Sequence, residues 1–334
     1  MYQSYPPQSD GNARPCASLA HVPATAGFTR LMKSGSTYLG VFCLLVTSTG
    51  WGLNWPAMKL LLQECPPLFA RGSAGLCASL LMAAFATFCG QSLSVPRDQY
   101  RRLVIAALFN VTIWMGFSTL SMQWLSAGQG AQLVYTMPIW AVLLAWPITG
   151  RRPSPASLLG LGLCIAGILI LFGADNALLG MNKTLGVLFA LSAAILFALA
   201  TVAFRPPTLL PLANAVWQLG IGSLPMLAYG WLFESADLAK ITAVGWSVFI
   251  YMTLVPMGIC YIAWFYALKK LPPTTASIST LLTPIVGVLA GAAMLGEHIG
   301  INELSALALT LTGVACALIK RRSHPPANVP VHKP

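Results

Sequence analysis

Charge is what this chain has least of. Of its 334 residues only 8% are Asp, Glu, Lys or Arg, while 57% are apolar. Soluble domains carry about 25% charged residues, so a water-facing globular domain is excluded. Acidic residues are scarcer still, 8 against 19 basic ones, and none falls in the middle of a long apolar run. The eight cysteines form no CxxC pair, which excludes a disulfide framework or a cysteine-built metal site. There is no P-loop, HExxH, GxSxG, or GxGxxG following a strand. No catalytic residue, cofactor or metal is expected. Residues 1–36 lack the apolar stretch of a secretory signal.

What is present is a succession of long uncharged runs. About 20 apolar residues span a bilayer core. Ten runs qualify: 37–55, 68–89, 102–121, 127–147, 156–174, 185–204, 212–233, 245–267, 274–295 and 303–319. Short connections leave no room for an inserted soluble domain. Residues 1–36, with Pro6, Pro7, Pro15 and Pro23, read as a disordered tail, with Met32 as an alternative start. Residues 320–334 read as a second polar tail.

The net charge of +11 does not indicate nucleic acid, because its distribution follows the membrane. If ten spans alternate from a cytoplasmic N-terminus, fifteen basic residues fall on the cytoplasmic side. They include Arg97, Arg101, Arg102, Arg151, Arg152, Arg205, Lys269 and Lys270. Only Lys59, Lys183 and Lys240 fall outside, and Arg71 lies within the second span. This is the positive-inside pattern, and it puts both termini in the cytoplasm.

The chain also repeats itself. Leu125, Pro138, Gly150 and Gly167 recur 146 residues later as Leu271, Pro284, Gly296 and Gly313. The repeat defines two halves, 37–174 and 185–319. Five spans per half is an odd number, so the second half enters the membrane from the opposite side. The expected fold is an all-α integral membrane protein of ten transmembrane helices in a 5+5 inverted-topology repeat.

Several residues carry a family resemblance. Trp51-Gly52-Leu53-Asn54 ends the first span, and Pro66-Pro67 precedes Arg71. Pro138 and Pro284 sit inside spans four and nine, and Gly296-Glu297 precedes the last span. Over residues 37–320 this resembles the EamA-type members of the drug/metabolite transporter superfamily. One departure is Gly150-Arg151, where the family often has Gly-Glu. The resemblance implies a cavity lined by spans one, three, four, six, eight and nine. It implies a secondary transporter of the inner membrane, of the exporting kind, for amino acids, metabolites or drugs by alternating access. The expected partners are a small-molecule substrate and the lipid bilayer, with the proton as candidate coupling ion through Glu64 or Glu297, and a monomer or weak homodimer. The alternatives are a membrane-embedded enzyme and a nucleotide-sugar or lipid-linked carrier.

Polar residues within spans turn toward protein or a wet cavity. The candidates for substrate contact are Trp51, Asn54, Asn110, Trp114, Gln132, Tyr135, Tyr261, Trp264, Ser277 and Thr280. Aromatic rings can stack on a flat moiety while amides and hydroxyls bond its polar end. Arg71 either snorkels to the interface or serves as a gate or a site for a substrate carboxylate. Pro138 and Pro284 read as paired bends, static kinks or hinges.

Overall fold

The computed structural model describes residues 25–150, 152–173 and 181–318. Both end segments, Arg151, residues 174–180 and the side chain of Ser277 lie outside that description. The described residues form ten helical rods: α1 (Thr25–Leu61), α2 (Pro67–Phe88), α3 (Arg97–Ser121), α4 (Ala127–Thr149), α5 (Pro155–Gly173), α6 (Met181–Ala203), α7 (Pro211–Phe233), α8 (Ala243–Lys270), α9 (residues 273–295) and α10 (Ile301–Leu318). Seven helices are long and apolar enough to cross a membrane. Side chains such as Phe42, Leu80, Leu169 and Leu188 are exposed around the bundle. An apolar exterior on this scale is the surface of a multi-pass membrane protein.

Two helices depart from the expected boundaries. The first begins at Thr25, inside the segment expected to be a disordered tail, and runs past position 55 to Leu61. No proline interrupts residues 24–55, so the helix can begin well before the apolar run, and at its other end it continues through Pro56 to Leu61. Rod α9 is not one helix but two, Pro273–Ser279 and Leu282–Leu295.

Rod α4 breaks in the same way, into Ala127–Val134 and Met137–Thr149. Proline cannot donate to the carbonyl four residues back, so the break comes just before it. Pro138 and Pro284 therefore stand in the first turn of a new helical piece, not inside a continuous kinked helix. Tighter turns close the gap: Thr136 N donates to Leu133 O (3.2 Å) and Thr283 N to Thr280 O (3.1 Å). Both pieces end on a left-handed glycine, Gly150 (φ 74°) and Gly296 (φ 65°), a backbone conformation that glycine adopts without strain.

The packing shows how the halves are related. Gly160 of α5 lies against Gly313 of α10, and Gly167 lies against Ala306. An advance along α5 is a retreat along α10, so these equivalent helices run antiparallel. At the repeat offset the first contact becomes the second with partners exchanged, which is the signature of a two-fold relation. α2 and α7 pack likewise: Gly72 touches Leu227, and Ser79 Oγ donates to Val216 O at 2.8 Å. α1 packs on α8 and α9, and its counterpart α6 packs on α3 and α4.

Candidate functional site

Between the two halves lies a cavity of about 360 Å³. That is near the lower end of the range for small-molecule sites, about 300–1,000 Å³. Two local distortions shape it. Both α3 and α8 widen into a π-helical turn, at Leu108–Ile113 and Val255–Ile259. Such turns recur at functional sites because the extra residue frees a carbonyl and turns side chains inward. Here they bring Asn110, Val111, Pro256 and Met257 to the cavity wall. Pro256 explains the second turn, since its missing N–H breaks the α-helical ladder.

Eight of the ten candidate contact residues border this cavity: Trp51, Asn54, Asn110, Trp114, Tyr135, Tyr261, Trp264 and Thr280. Gln132 does not. It is buried beside Pro284 in a recess between α4, α9 and α10 of about 10 Å³, and neither its amide oxygen nor its nitrogen finds a partner. Ser277 belongs to α9, but its side chain falls outside the description. Pro138 is not on the wall; its neighbour Met137 is. Arg71 is on the wall and only 5% exposed, so it does not snorkel to an interface.

The aromatic residues do different work. Trp51 donates its indole N–H to the Pro256 carbonyl at 3.0 Å, so it offers the cavity only its ring. It packs on Tyr261 (5.9 Å) and Trp264 (5.5 Å), and Tyr261 packs on Phe265 (6.1 Å). Trp114 packs on Phe197 at 5.8 Å, but its Nε1 has no partner in the protein. Asn54 Oδ1 and Arg71 Nε and Nη1 are likewise buried and unpartnered. Unsatisfied buried polar atoms are costly. Three such residues, Asn54, Arg71 and Trp114, stand on one cavity wall with hydrogen-bonding capacity unused within the protein.

Several wall residues escaped the sequence reading. Asn110 Nδ2 donates to Gln218 Oε1 (2.9 Å), and Gln218 Nε2 donates to Asn214 Oδ1 (2.8 Å). Asn214 and Gln218 stand four apart on the apolar α7, the same helical-face signal that singled out Asn110 and Trp114. Met58, Met115, Met122 and Met257 also contribute. Methionine carries no sequence signal for a site, because it fills cores equally well.

The two ends of the bundle differ. At the end carrying Glu64, Glu234 and Glu297, the cavity stops at buried Met58 and Met122. Each of these carboxylates caps the start of another helix. Glu234 accepts from Leu68 N (3.2 Å) and Phe69 N (2.8 Å) of α2. Glu297 accepts from Ala127 N (2.6 Å) and Gly128 N (3.3 Å) of α4. Glu64 accepts from Thr242 N (2.7 Å) and Thr242 Oγ1 (2.8 Å), before α8. Lys59 Nζ donates to Met122 O (2.5 Å) and Leu125 O (2.6 Å), past the end of α3. Toward the basic end the wall is half-buried, at Asn214, Gln218, Trp264 and Phe265.

A larger groove of about 440 Å³ lies between α1, α8 and α9. It is open and almost wholly apolar. Its Ser247 and Tyr251 hydroxyls donate to Ala243 O and Gly50 O, leaving little to recognise a solute.

A helical membrane protein made of two antiparallel copies, with a polar-dotted cavity between them, belongs to the class of transporters with internal repeats. The profile of the EamA-like transporter family matches twice, over residues 38–173 and 184–319. The chain belongs to this family, within the drug/metabolite transporter superfamily. It is 26% identical to "Uncharacterized transporter YoaV" of Bacillus subtilis, over 79% of this chain and 91% of that one. It is 26% identical to "Probable amino-acid metabolite efflux pump" of Salmonella typhimurium, over 82% and 92%. It is 27% identical to "Probable terminal-alkyne amino-acid exporter" of Streptantibioticus cattleyicolor, over 85% and 94%. One solved crystal structure superposes with a TM-score of 0.58 at 18% identity, over 85% of this chain and 96% of that one. At that identity the likeness concerns the fold alone. The names of the family and of these relatives indicate a transporter and not an enzyme.

Proposed function

We propose that this protein is a secondary transporter that exports a small organic solute by alternating access. The observation that carries the reading is the cavity between the two halves, closed at the acidic end and half-exposed toward the basic end. The basic end faces the cytoplasm in this reading, because anionic head groups and the insertion machinery favour Lys and Arg there. Ten crossings and cytoplasmic termini follow from the same orientation, and a bacterial inner membrane suits the compact layout. The state described is then inward-facing. Exchange of conformation between the halves opens the acidic end, with the breaks before Pro138 and Pro284 as the paired hinges. No carboxylate lines the cavity among the described residues, so the candidate carriers of a coupling proton, Glu64 and Glu297, lie off its wall. Gly287 and Gly291 pack inside the chain, against Ala131 and Glu297, and are not a free dimer face. The transporting unit is the monomer.

Purified protein in liposomes should raise the flux of at least one member of an amino-acid and metabolite panel above that of empty vesicles. Asn54→Ala and Trp114→Ala should each lower that flux about 5- to 30-fold, the effect of one or two kcal/mol, at unchanged expression. Flux equal to empty vesicles across the panel overturns the reading. Orientation is tested by labelling intact cells in a background without native cysteines. Lys183→Cys should react with an impermeant maleimide, and Arg205→Cys only after permeabilisation. The opposite pattern reverses the topology.

A further inference from the structure

We infer that the cavity selects solutes bearing a carboxylate, or a comparable planar anion, and that Arg71 is the residue that holds it. This rests on the transport reading above and names the substrate class of the same site. Arg71 is the one charged residue on the cavity wall among the described residues, and no Asp or Glu shares that wall. Its side chain is 95% buried, and Nε and Nη1 donate to nothing. A guanidinium keeps its charge in almost any surroundings. A buried charge without a partner is strongly unfavourable, so an anion supplied by the ligand is the missing half of a pair.

Nε–H and Nη1 point from different edges of the planar guanidinium, and each can donate a charge-assisted hydrogen bond to a carboxylate oxygen. The other unpartnered groups assign the rest of the molecule. Trp114 Nε1 can donate and Asn54 Oδ1 can accept. The rings of Trp51, Tyr261 and Trp264, inclined to one another by 70° and 46°, form an aromatic wall. A small monocarboxylate with an aromatic or apolar body satisfies these features together. A free amine finds no counter-charge. An α-amino acid finds a charged partner for its carboxylate, but only neutral groups for its ammonium.

The sequence asymmetry supports this assignment. With Pro67 of α2 aligned on Pro211 of α7, Arg71 corresponds to Ala215, which also lines the cavity. The charge is therefore one-sided, and a solute carrying one anionic group has one orientation in the cavity.

The test is a matched series on one ring: phenylacetate, phenylacetamide, phenethylamine and phenylalanine. Each is titrated by calorimetry into the full-length protein in lipid nanodiscs and assayed for flux in liposomes. Phenylacetate should bind at least tenfold more tightly than phenylacetamide, the effect expected for charge-assisted hydrogen bonds, and phenethylamine should bind most weakly. Arg71→Gln should abolish the preference for the carboxylate, and Arg71→Lys should restore part of it. The Arg71→Gln thermal midpoint, measured without ligand, shows whether the variant folds. If it does not, Arg71→Lys serves in its place, and a preference equal to wild type then counts against the inference. Absence of phenylacetate binding, preference for the amide or amine, or a carboxylate preference that persists in folded Arg71→Gln overturns it. Flux of neutral or cationic solutes without a carboxylate preference sinks the anion site while the transporter reading survives. Absence of flux across every solute class sinks the transporter reading itself.

Discussion

Removing the Glu297 carboxylate should open the acidic end of the bundle. Glu297 holds α4 by two backbone N–H groups, at 2.6 and 3.3 Å, and Gly291 leaves the room its carboxylate occupies. Hydrogen bonds to a charged group contribute about 1.5–3 kcal/mol each, and a helix start adds about 0.3–1 kcal/mol for an anion. Loss of about 3 kcal/mol from the closed state alone shifts the equilibrium about 100-fold. The other end has no such fastening in the sequence. At the repeat offset Glu64 and Glu297 map to Leu210 and Arg151, and with Pro67 aligned on Pro211, Glu234 maps to Gly90. The three carboxylate caps therefore belong to one end, and they weight the equilibrium toward the state that is closed there. The measurement uses Met122→Cys, a wall position 2% exposed at the acidic end, in right-side-out vesicles and a background without other cysteines. An impermeant maleimide should label it at least tenfold faster with Glu297→Ala than without. Rates unchanged from the parent in both Glu297→Ala and the Glu64→Ala, Glu297→Ala double variant would show that the caps do not hold that end shut.

Gly160→Leu and Gly313→Leu should each abolish accumulation of folded protein. A Cβ on Gly160 would sit 2.4 Å from the Gly313 carbonyl oxygen, and one on Gly313 would sit 2.5 Å from that of Gly160 and 2.7 Å from Cys164 Sγ. The obstacles are mainly backbone atoms, which cannot rotate away, so α5 and α10 must part. Close backbone approach at small residues is the usual means of helix association where lipid leaves little hydrophobic drive. Overpacking costs about 1–3 kcal/mol for even small additions. Gly160→Ala should therefore lower the thermal midpoint by several degrees in detergent. Gly162, two residues away, meets nothing within 4 Å of a Cβ, and Gly162→Ala should leave the midpoint unchanged. Equal midpoints for the two alanine variants would remove the close contact from the account of stability.

Much of the architecture was legible because the bilayer makes strict demands. Long uncharged runs have few alternatives to helices in lipid, and the repeated Gly150 and Gly296 marked equivalent helix ends. The site was legible in part. Trp51, Asn54, Asn110 and Trp114 stood out because polar or amphipathic residues at helical spacing seldom face lipid. Spacing places a residue on a face, but it does not say which neighbour occupies that face. Gln132 read as well as Tyr135, yet it turns into the recess against α10. Trp51 read as a ring for stacking, and the π-turn of α8 fixes that ring by offering its N–H the Pro256 carbonyl. Gln218 and Asn214 carried the right spacing and went unremarked, because their importance comes from Asn110 across the interface.

The sequence by itself determined the membrane class, the duplicated helical unit and the scarcity of charge. Each follows from local composition and period, which need no knowledge of neighbours. Only the tertiary structure decided that the carboxylates of one end cap helices from elsewhere in the chain, and that Arg71 turns inward with its donors unused. These depend on contacts between residues about 170 positions apart, such as Ala127 with Glu297, or on which side of a helix meets a cavity. Hydropathy and spacing carry no information about such pairings until the helices are packed.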